Sequence, residues 1–140
     1  MDAFDADVLI YAAVAGHPLG RRVRALFAAD GIDGEAGVVG IGSVLLLPEL
    51  LARPIRDGAT DELADLGALL GRLDLRPTDA TTAEIATALA AAYGLRAVDA
   101  VHLATAVNAG AERFITNNSK DFPTSIAEIN ITYPSNLAEP

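Results

Sequence analysis

Cysteine is absent from this chain of 140 residues. Its absence excludes a disulfide framework and a thiolate metal site, and it fits a reducing compartment. No basic segment precedes the first apolar residues, as a signal peptide would require, and no apolar run reaches the ~18 residues of a membrane span. We therefore expect a soluble cytoplasmic protein.

Positive charge is scarce in the sequence. The chain has 10 basic and 19 acidic residues, which gives a net charge of −9. This balance argues against non-specific binding to a polyanion, so a nucleic-acid role would require a local basic patch or bound cations. Charge by itself favours a basic protein partner.

Apolar residues, in contrast, are abundant. They make up 51% of the sequence, and many of them are alanines, which favour helices. The length suits one domain with a substantial core. We assign residues 1–134 to a single domain and expect residues 135–140 to form a loose C-terminal tail.

Apolar runs bounded by turn residues predict five strands that alternate with helices. The predicted strands cover residues 3–11, 37–43, 73–77, 113–116 and 129–134. This alternation predicts an α/β fold, a three-layer α/β/α sandwich around a mainly parallel central sheet.

Capping residues and glycines mark the predicted helices between these strands. One helix is expected to end near Asp30, and the helix over residues 44–55 should kink or end early at Pro48. The expected N-caps are Ser43, Thr60 and a capping box of Thr81 with Glu84. Gly94 and Gly110 are the expected C-terminal ends of the last two helices.

Polar side chains cluster where strands end, which is where open α/β sheets bind ligands. The candidates come from four segments: Asp5 and Asp7; Glu49; Asp99 and His102; Asn117, Asn118, Ser119 and Asp121. An inventory of oxygen donors with no cysteine suits Mg²⁺ or Mn²⁺ better than zinc.

Each candidate residue also has an ordinary structural explanation. Asp5 could be solvated at a strand end, Asp99 could cap its helix, and Glu49 could be an exposed residue between core leucines. His102 is more typical of a packed or hydrogen-bonded histidine than of a ligand. Only the joint pattern indicates a site.

Three segments of the sequence resemble the PIN-domain ribonucleases, in particular the VapC-like toxins of type II toxin–antitoxin pairs. "FDADVLIY" looks like the opening strand of that family, and "GSVLLLPELLAR" is similar to its serine-led helix with an internal glutamate. "LRAVDAVHLATAVNAGAERFITNNSKDF" is the most specific match, and the resemblance runs from about Phe4 to Tyr133.

The resemblance implies a metal-dependent endoribonuclease that hydrolyses RNA phosphodiesters with Mg²⁺ or Mn²⁺. Asp5 and Asp99 match the main metal ligands, and Glu49 and Asp121 would complete the carboxylate cluster directly or through water. Thr116 would orient a water or the phosphate, while Asp7 would hydrogen-bond within the site.

The sequence departs from the family pattern at one position. The family usually has an aspartate two residues after the loop threonine, where this chain has Asn118 after Thr116. Asp121 could supply the missing charge, and Asn118 could still bind a cation through its carbonyl oxygen.

The resemblance also implies partners: an RNA substrate, a cognate antitoxin protein with a basic segment, and a second copy in a homodimer. Arginines at the rim would contact the RNA backbone. The candidates are Arg21, Arg22, Arg24, Arg53 and Arg56.

Two other interpretations compete with the nuclease. A catalytically degenerate PIN domain would bind RNA or protein without cutting, because Asn118 replaces an acid. A haloacid-dehalogenase-like phosphatase would use "FDADVL" as an Asp-x-Asp motif. The phosphatase also needs a lysine and a late acidic pair, but Lys120 is the only lysine and no such pair follows it.

Overall fold

The computed structural model describes residues 1–28 and 37–140. Its strands are β1 (Asp2–Phe4), β2 (Gly40–Ser43), β3 (Leu73–Arg76), β4 (Arg113–Ile115) and β5 (Asn130–Thr132). Its helices are α1 (Ala6–Ala13), α2 (Pro18–Ala28), α3 (Leu46–Asp57), α4 (Thr60–Leu70), α5 (Ala80–Tyr93) and α6 (Ala97–Asn108). A short 3₁₀ helix, Pro134–Asn136, follows β5.

The strands form one sheet in the order β3-β2-β1-β4-β5, and every neighbouring pair is parallel. In the centre of the sheet, Ala3 of β1 pairs with Ile41 of β2 and with Phe114 of β4. Helices connect β1 to β2, β2 to β3 and β3 to β4 and cover the sheet, whereas a loop without a helix leads from β4 to β5. The predicted α/β sandwich is therefore confirmed.

Alternate residues of the strands point into two separate cores. Ala3 and Phe114 belong to the core that contains α5 and α6. Phe4 and Ile115, their neighbours in sequence, belong to the core that contains α1, α2, α3 and α4. The sheet is thus buried on both faces.

The prediction of a strand over residues 3–11 was wrong. β1 ends at Phe4, and α1 begins at Ala6 because the Asp5 side chain accepts a hydrogen bond from the Ala6 N–H and caps the helix. The apolar run that follows is buried at helical spacing, on Val8, Leu9 and Ala12, while Ile10 is 46% exposed. A short apolar run fits a strand and a helix equally well.

Three predicted helix starts were also wrong. α3 begins after Leu45 without a side-chain cap. Ser43 ends β2, and its hydroxyl accepts from the Leu45 N–H instead. Ala59, not Thr60, precedes α4. Asp79 caps α5 through the Thr82 N–H, so Thr81 and Glu84 form no capping box.

Pro48 does not end its helix. Because α3 starts at Leu46, Pro48 lies in its first turn, where backbone N–H groups have no helical partner to lose. At their far ends, α5 and α6 stop as expected. Gly94 and Gly110 have φ values of 67° and 72°, which glycine adopts without steric cost. The predicted helix end at Asp30 lies outside the described residues.

The C-terminal residues contact the body of the domain. Arg22 donates to the carbonyl oxygens of Ser135 and Leu137, and the Leu137 side chain is buried. The predicted boundary at Pro134 and the loose tail stay predictions. Within residues 1–28 and 37–140, no helix is long and apolar enough to cross a membrane.

Two helical glycines provide a test of the packing of α1 against α2. A Cβ on Gly20 of α2 would lie 1.9 Å from the Tyr11 carbonyl oxygen, whereas a Cβ on Gly67 of α4 would meet no atom within 4 Å. We expect Gly20→Ala to lower the free energy of unfolding by about 2–3 kcal/mol, because the two helices must separate. Gly67→Ala should raise it by about 0.5–1 kcal/mol through helix propensity.

Urea denaturation of both variants measures this difference. Since alanine has the better helix propensity at both positions, equal stabilisation of the two variants would contradict the close approach of α1 and α2.

Candidate functional site

The candidate acidic residues all lie at the carboxyl edge of the sheet. Asp5 directly follows β1, and Asp121 lies in the loop after β4. Glu49 is in the first turn of α3, which leaves β2 at this edge. α6 runs back towards the start of β4, so its first turn, which holds Asp99, lies at the same edge. This is where parallel α/β sheets bind ligands.

Asp5 is the buried centre of this edge. Only 6% of the residue is exposed. Its Oδ1 accepts from the Ala6 N–H at 2.9 Å, and its Oδ2 accepts from the Thr116 hydroxyl at 2.8 Å. Burial raises the pKa of Asp5, although these hydrogen bonds and His102 oppose the shift. The carboxylate is therefore held in place but remains costly to ionise.

Asp7 is hydrogen-bonded within the site, as the resemblance implies. Its Oδ1 accepts from the Val8 N–H at 2.7 Å and its Oδ2 accepts from the Asn117 N–H at 3.0 Å. Burial and then the charge of Asp5 raise the pKa of Asp7 to about 6. Asp7 thus ties the start of α1 to the loop after β4.

Asp99 shares the edge with two other acids. Burial and the charges of Asp121 and Glu49 raise the pKa of Asp99, while His102 opposes the shift. The charge of Asp99 also acts on Asp5 and Asp7. The five acidic side chains are therefore coupled electrostatically.

Glu49 contacts His102 rather than another acid. Its Oε2 lies 2.7 Å from His102 Nε2, and the histidine side chain is 1% exposed. Burial acts to lower the pKa of His102, but the bond to Glu49 and the charges of Asp5 and Asp99 outweigh it and raise the pKa. His102 is thus a packed, hydrogen-bonded residue, as the sequence favours.

The loop after β4 places an amide beside the last acid. The Asn118 side-chain amide donates to Asp121 Oδ2 at 2.8 Å, and the Asp121 N–H donates to Asn118 Oδ1 at 3.2 Å. The Asn118 N–H donates to the Thr116 hydroxyl. Asn118 and Asp121 therefore form one unit, held to Asp5 through Thr116. Ser119, by contrast, is exposed.

The chemistry of these donors fits a hard divalent cation, because they are carboxylate, hydroxyl and amide oxygens. The raised pKa values of Asp5, Asp7 and Asp99 reflect burial and repulsion that a cation would relieve. In the described part of the chain, however, no three acidic or histidine side chains converge closely enough to hold a metal ion.

The Glu49–His102 pair and two contacts of Tyr11 are not predicted from the sequence. The Glu49–His102 pair joins residues 53 positions apart, and no local pattern predicts it. The Asn117 side-chain amide also donates to the Tyr11 hydroxyl. The Tyr11 ring stacks on the His17 ring, with 4.4 Å between the ring centroids. Recognising α1 as a helix would have placed Asp7 and Tyr11 on one face.

Fold and site together define an α/β sandwich with an acidic, oxygen-rich site at the carboxyl edge of its sheet. The sequence model of the PIN domain matches residues 3–124, and the chain belongs to this family. PIN domains are generally metal-dependent and are typically ribonucleases. The predicted family is confirmed, and the phosphatase interpretation is excluded.

Solved structures of similar fold come from toxin–antitoxin systems. A toxin–antitoxin complex from Klebsiella pneumoniae superimposes with a TM-score of 0.72 at 22% identity and covers 96% of this chain and 98% of its own. DNA-bound VapBC from Salmonella typhimurium superimposes with a TM-score of 0.70 at 19% identity. It covers 95% of this chain and 97% of its own.

VapBC2 from Rickettsia felis, bound to a DNA fragment from its promoter, gives a TM-score of 0.68 at 19% identity. It covers 94% of this chain and 97% of its own. No curated protein sequence matches the chain. At identities of 19% to 22%, the similarity to these structures is evidence for the fold alone.

The pKa shifts predict how stability depends on pH in metal-free protein. The pKa of Asp7 rises from 3.8 to about 6 on folding, so between these values the folded state binds more protons than the unfolded state. The free energy of unfolding should therefore fall as pH rises from 4 to 6. The raised pKa of His102 continues this fall, since its stabilisation is lost as pH rises through the folded-state value.

Urea denaturation between pH 4 and 8 measures the fall, and NMR titration of the Asp7 carboxyl locates its midpoint. Asp7→Asn should flatten the slope between pH 4 and 6. A stability that rises across this range in the wild-type protein would contradict the raised pKa values.

Thr116 provides a second test of the site. Its buried hydroxyl donates to Asp5 and accepts from the Asn118 N–H. We expect Thr116→Val to lower the free energy of unfolding by about 1–3 kcal/mol, because the buried Asp5 carboxylate and the half-buried Asn118 N–H each lose a partner while the shape is kept. Thr116→Ser keeps the hydroxyl and should cost only about 1 kcal/mol for the lost methyl. Urea denaturation at pH 7 compares the two, and a valine variant as stable as the serine variant would contradict the role of the hydroxyl.

Proposed function

We propose that this PIN domain is an Mg²⁺- or Mn²⁺-dependent endoribonuclease and the VapC-like toxin of a toxin–antitoxin pair. The observation that carries the proposal is the buried Asp5, coupled to Asp99 at the carboxyl edge of the sheet. A protein gains no stability from burying repelling carboxylates, so their arrangement favours a function that requires them.

Asp5 and Asp99 are the proposed main metal ligands. Glu49 and Asp121 would complete the cluster, directly or through water. When bound, the cation would make a coordinated water more acidic and neutralise the charge that develops on the phosphate. The acids supply the negative charge that holds such a cation at this edge.

The remaining side chains position these groups. The Thr116 hydroxyl fixes Asp5 and is proposed to orient a water or the phosphate. Asn118 holds Asp121 through two hydrogen bonds, and Asp7 holds the loop after β4 against α1.

RNA is the proposed substrate, and arginines around the site would contact its backbone. Of the candidates, Arg22 pairs with Glu139, Arg53 pairs with Asp57 and Glu62, and Arg56 pairs with Asp57. Arg21 is exposed on α2. Arg21 and Arg24 are therefore the better candidates for contacts with phosphate.

A basic antitoxin segment is the proposed protein partner, and a homodimer is the proposed assembly. The similar structure from Klebsiella pneumoniae is named as a toxin–antitoxin complex, and the two VapBC structures are described as DNA-bound. The net charge of −9 fits a basic partner.

A second candidate function is a PIN domain that binds RNA or protein without cutting it. Asn118 favours this function, because a neutral amide stands where the family has an acid and its hydrogen bond occupies one oxygen of Asp121. Metal binding separates the two functions, since a site that lacks one charge would hold Mg²⁺ weakly.

Cleavage of a panel of structured and single-stranded RNAs, with Mg²⁺, Mn²⁺ or EDTA, tests the proposal. We expect metal-dependent cutting that falls at least 100-fold in Asp5→Asn and in Asp99→Asn, because each substitution removes a charge that holds the cation. Glu112→Gln is the matched control. Glu112 is exposed and precedes β4, at the opposite edge of the sheet, and its loss should leave cutting unchanged.

Binding of Mn²⁺, measured by calorimetry on the same proteins, gives a readout without RNA. Folded wild-type protein that neither cuts nor binds Mn²⁺ would favour the non-cutting domain. Cutting that survives both aspartate substitutions would assign the activity to other residues.

A further inference from the structure

His102 is the most anomalous polar side chain of the described residues. Its ring is 1% exposed, and its Nδ1 is the one buried side-chain nitrogen or oxygen in residues 1–28 and 37–140 that has no hydrogen-bond partner. Leaving such a group without a partner costs free energy, so native proteins rarely do it without a reason.

Packing does not supply that reason. The neighbours of His102 on α6 are the buried, apolar residues Ala100, Leu103, Ala104 and Ala106. An apolar side chain of similar size would fill this place without an unpaired nitrogen. The benefit of the imidazole must therefore come from its other nitrogen.

That nitrogen, Nε2, lies 2.7 Å from Glu49 Oε2, its hydrogen-bond partner among the described residues. The bond joins α6 to the first turn of α3 and so crosses the acidic edge of the sheet. The Glu49 side chain is 37% exposed, so without this bond the carboxylate would be free to turn into solvent. Its second oxygen, Oε1, makes no hydrogen bond within the described residues and remains available.

We propose that His102 is a positioning residue that holds the Glu49 carboxylate at the site through an Nε2–H donor. The proposal rests on the proposed metal-dependent function. Asp5 and Asp99 act on His102 electrostatically, which places the ring among the acids that would surround the cation. Partners that orient a ligand in this way commonly affect metal affinity or activity 10- to 100-fold.

Three substitutions of His102 separate the effect of its Nε2–H donor from the effect of its volume in the core. His102→Gln keeps an amide N–H at the reach of Nε2, whereas the shorter His102→Asn brings its N–H only as far as Nδ1. His102→Leu fills the space without a donor. We expect the affinity for Mn²⁺, measured by calorimetry without RNA, to fall about 10- to 100-fold in the leucine and asparagine variants and to recover at least partly in the glutamine variant.

A double-mutant cycle with Glu49→Ala tests whether His102 acts through Glu49. We expect His102→Leu to cause little further loss of Mn²⁺ affinity or of kcat once Glu49 is absent. Thermal unfolding of each variant controls for folding. If His102→Leu fails to fold, the glutamine and asparagine variants, each with and without Glu49, still show whether the donor at position 102 acts through Glu49.

The possible outcomes distinguish a failure of the positioning role of His102 from a failure of the proposed nuclease activity. Wild-type protein that binds Mn²⁺ without cutting RNA, with an affinity that depends on the donor at position 102, supports the positioning role and overturns the nuclease. RNA cutting and Mn²⁺ binding that are equal in the leucine, glutamine and wild-type proteins overturn the positioning role alone. Additive losses in the cycle also overturn it, and folded wild-type protein that binds no Mn²⁺ overturns both.

Discussion

The buried carboxylate of Asp5 is the constraint on which the rest of the site depends. It ends β1, caps α1 through the Ala6 N–H and accepts from Thr116, which follows β4. Removing a charge from water is costly, and these two hydrogen bonds offset part of that cost. Since the donors come from different elements, the same bonds that satisfy the carboxylate also fix the neighbouring strand ends. The same hydrogen bonds therefore determine both where the acidic side chains of this edge lie and how readily Asp5 ionises.

Burial first, and repulsion between the acids second, make the carboxylates around Asp5 costly to ionise. The pKa values of Asp5, Asp7 and Asp99 are all raised, which means that folding brings ionised groups into surroundings that disfavour their charge. The hydrogen bonds from Thr116 and from the loop after β4 hold the groups in place despite this cost. Sites of this kind are typical of functional centres, where stability is given up for a charge distribution that a ligand completes.

The sequence was sufficient for the parallel α/β fold and for the prediction that the candidate acids lie at one edge of the sheet, because parallel strands bring their carboxyl ends to the same edge whatever the details of the helices. It was insufficient for residues 5–13. There the apolar run reads as a strand until the Asp5 cap is recognised, since one buried face of a short helix and a fully buried strand use the same residues. The caps expected at Ser43, Thr60 and Thr81 were wrong by one or two residues, because local patterns locate a helix end only to that precision and, in α5, the neighbouring Asp79 side chain caps the helix instead. The Glu49–His102 bond was beyond reach because only the packing of α3 and α6 brings those residues together.

The distribution of charge explains how so acidic a chain could act on a polyanion. Several basic side chains are already engaged with acids, among them Arg22 with Glu139, Arg53 with Glu62 and Arg113 with Asp2. Such pairs leave little positive charge for non-specific binding to phosphates. In the proposed nuclease, a divalent cation at the acidic edge would offset part of the local negative charge and give the phosphate a positive centre to contact. Affinity for RNA would then depend on the loaded site, and selectivity on how a single-stranded loop presents its backbone there.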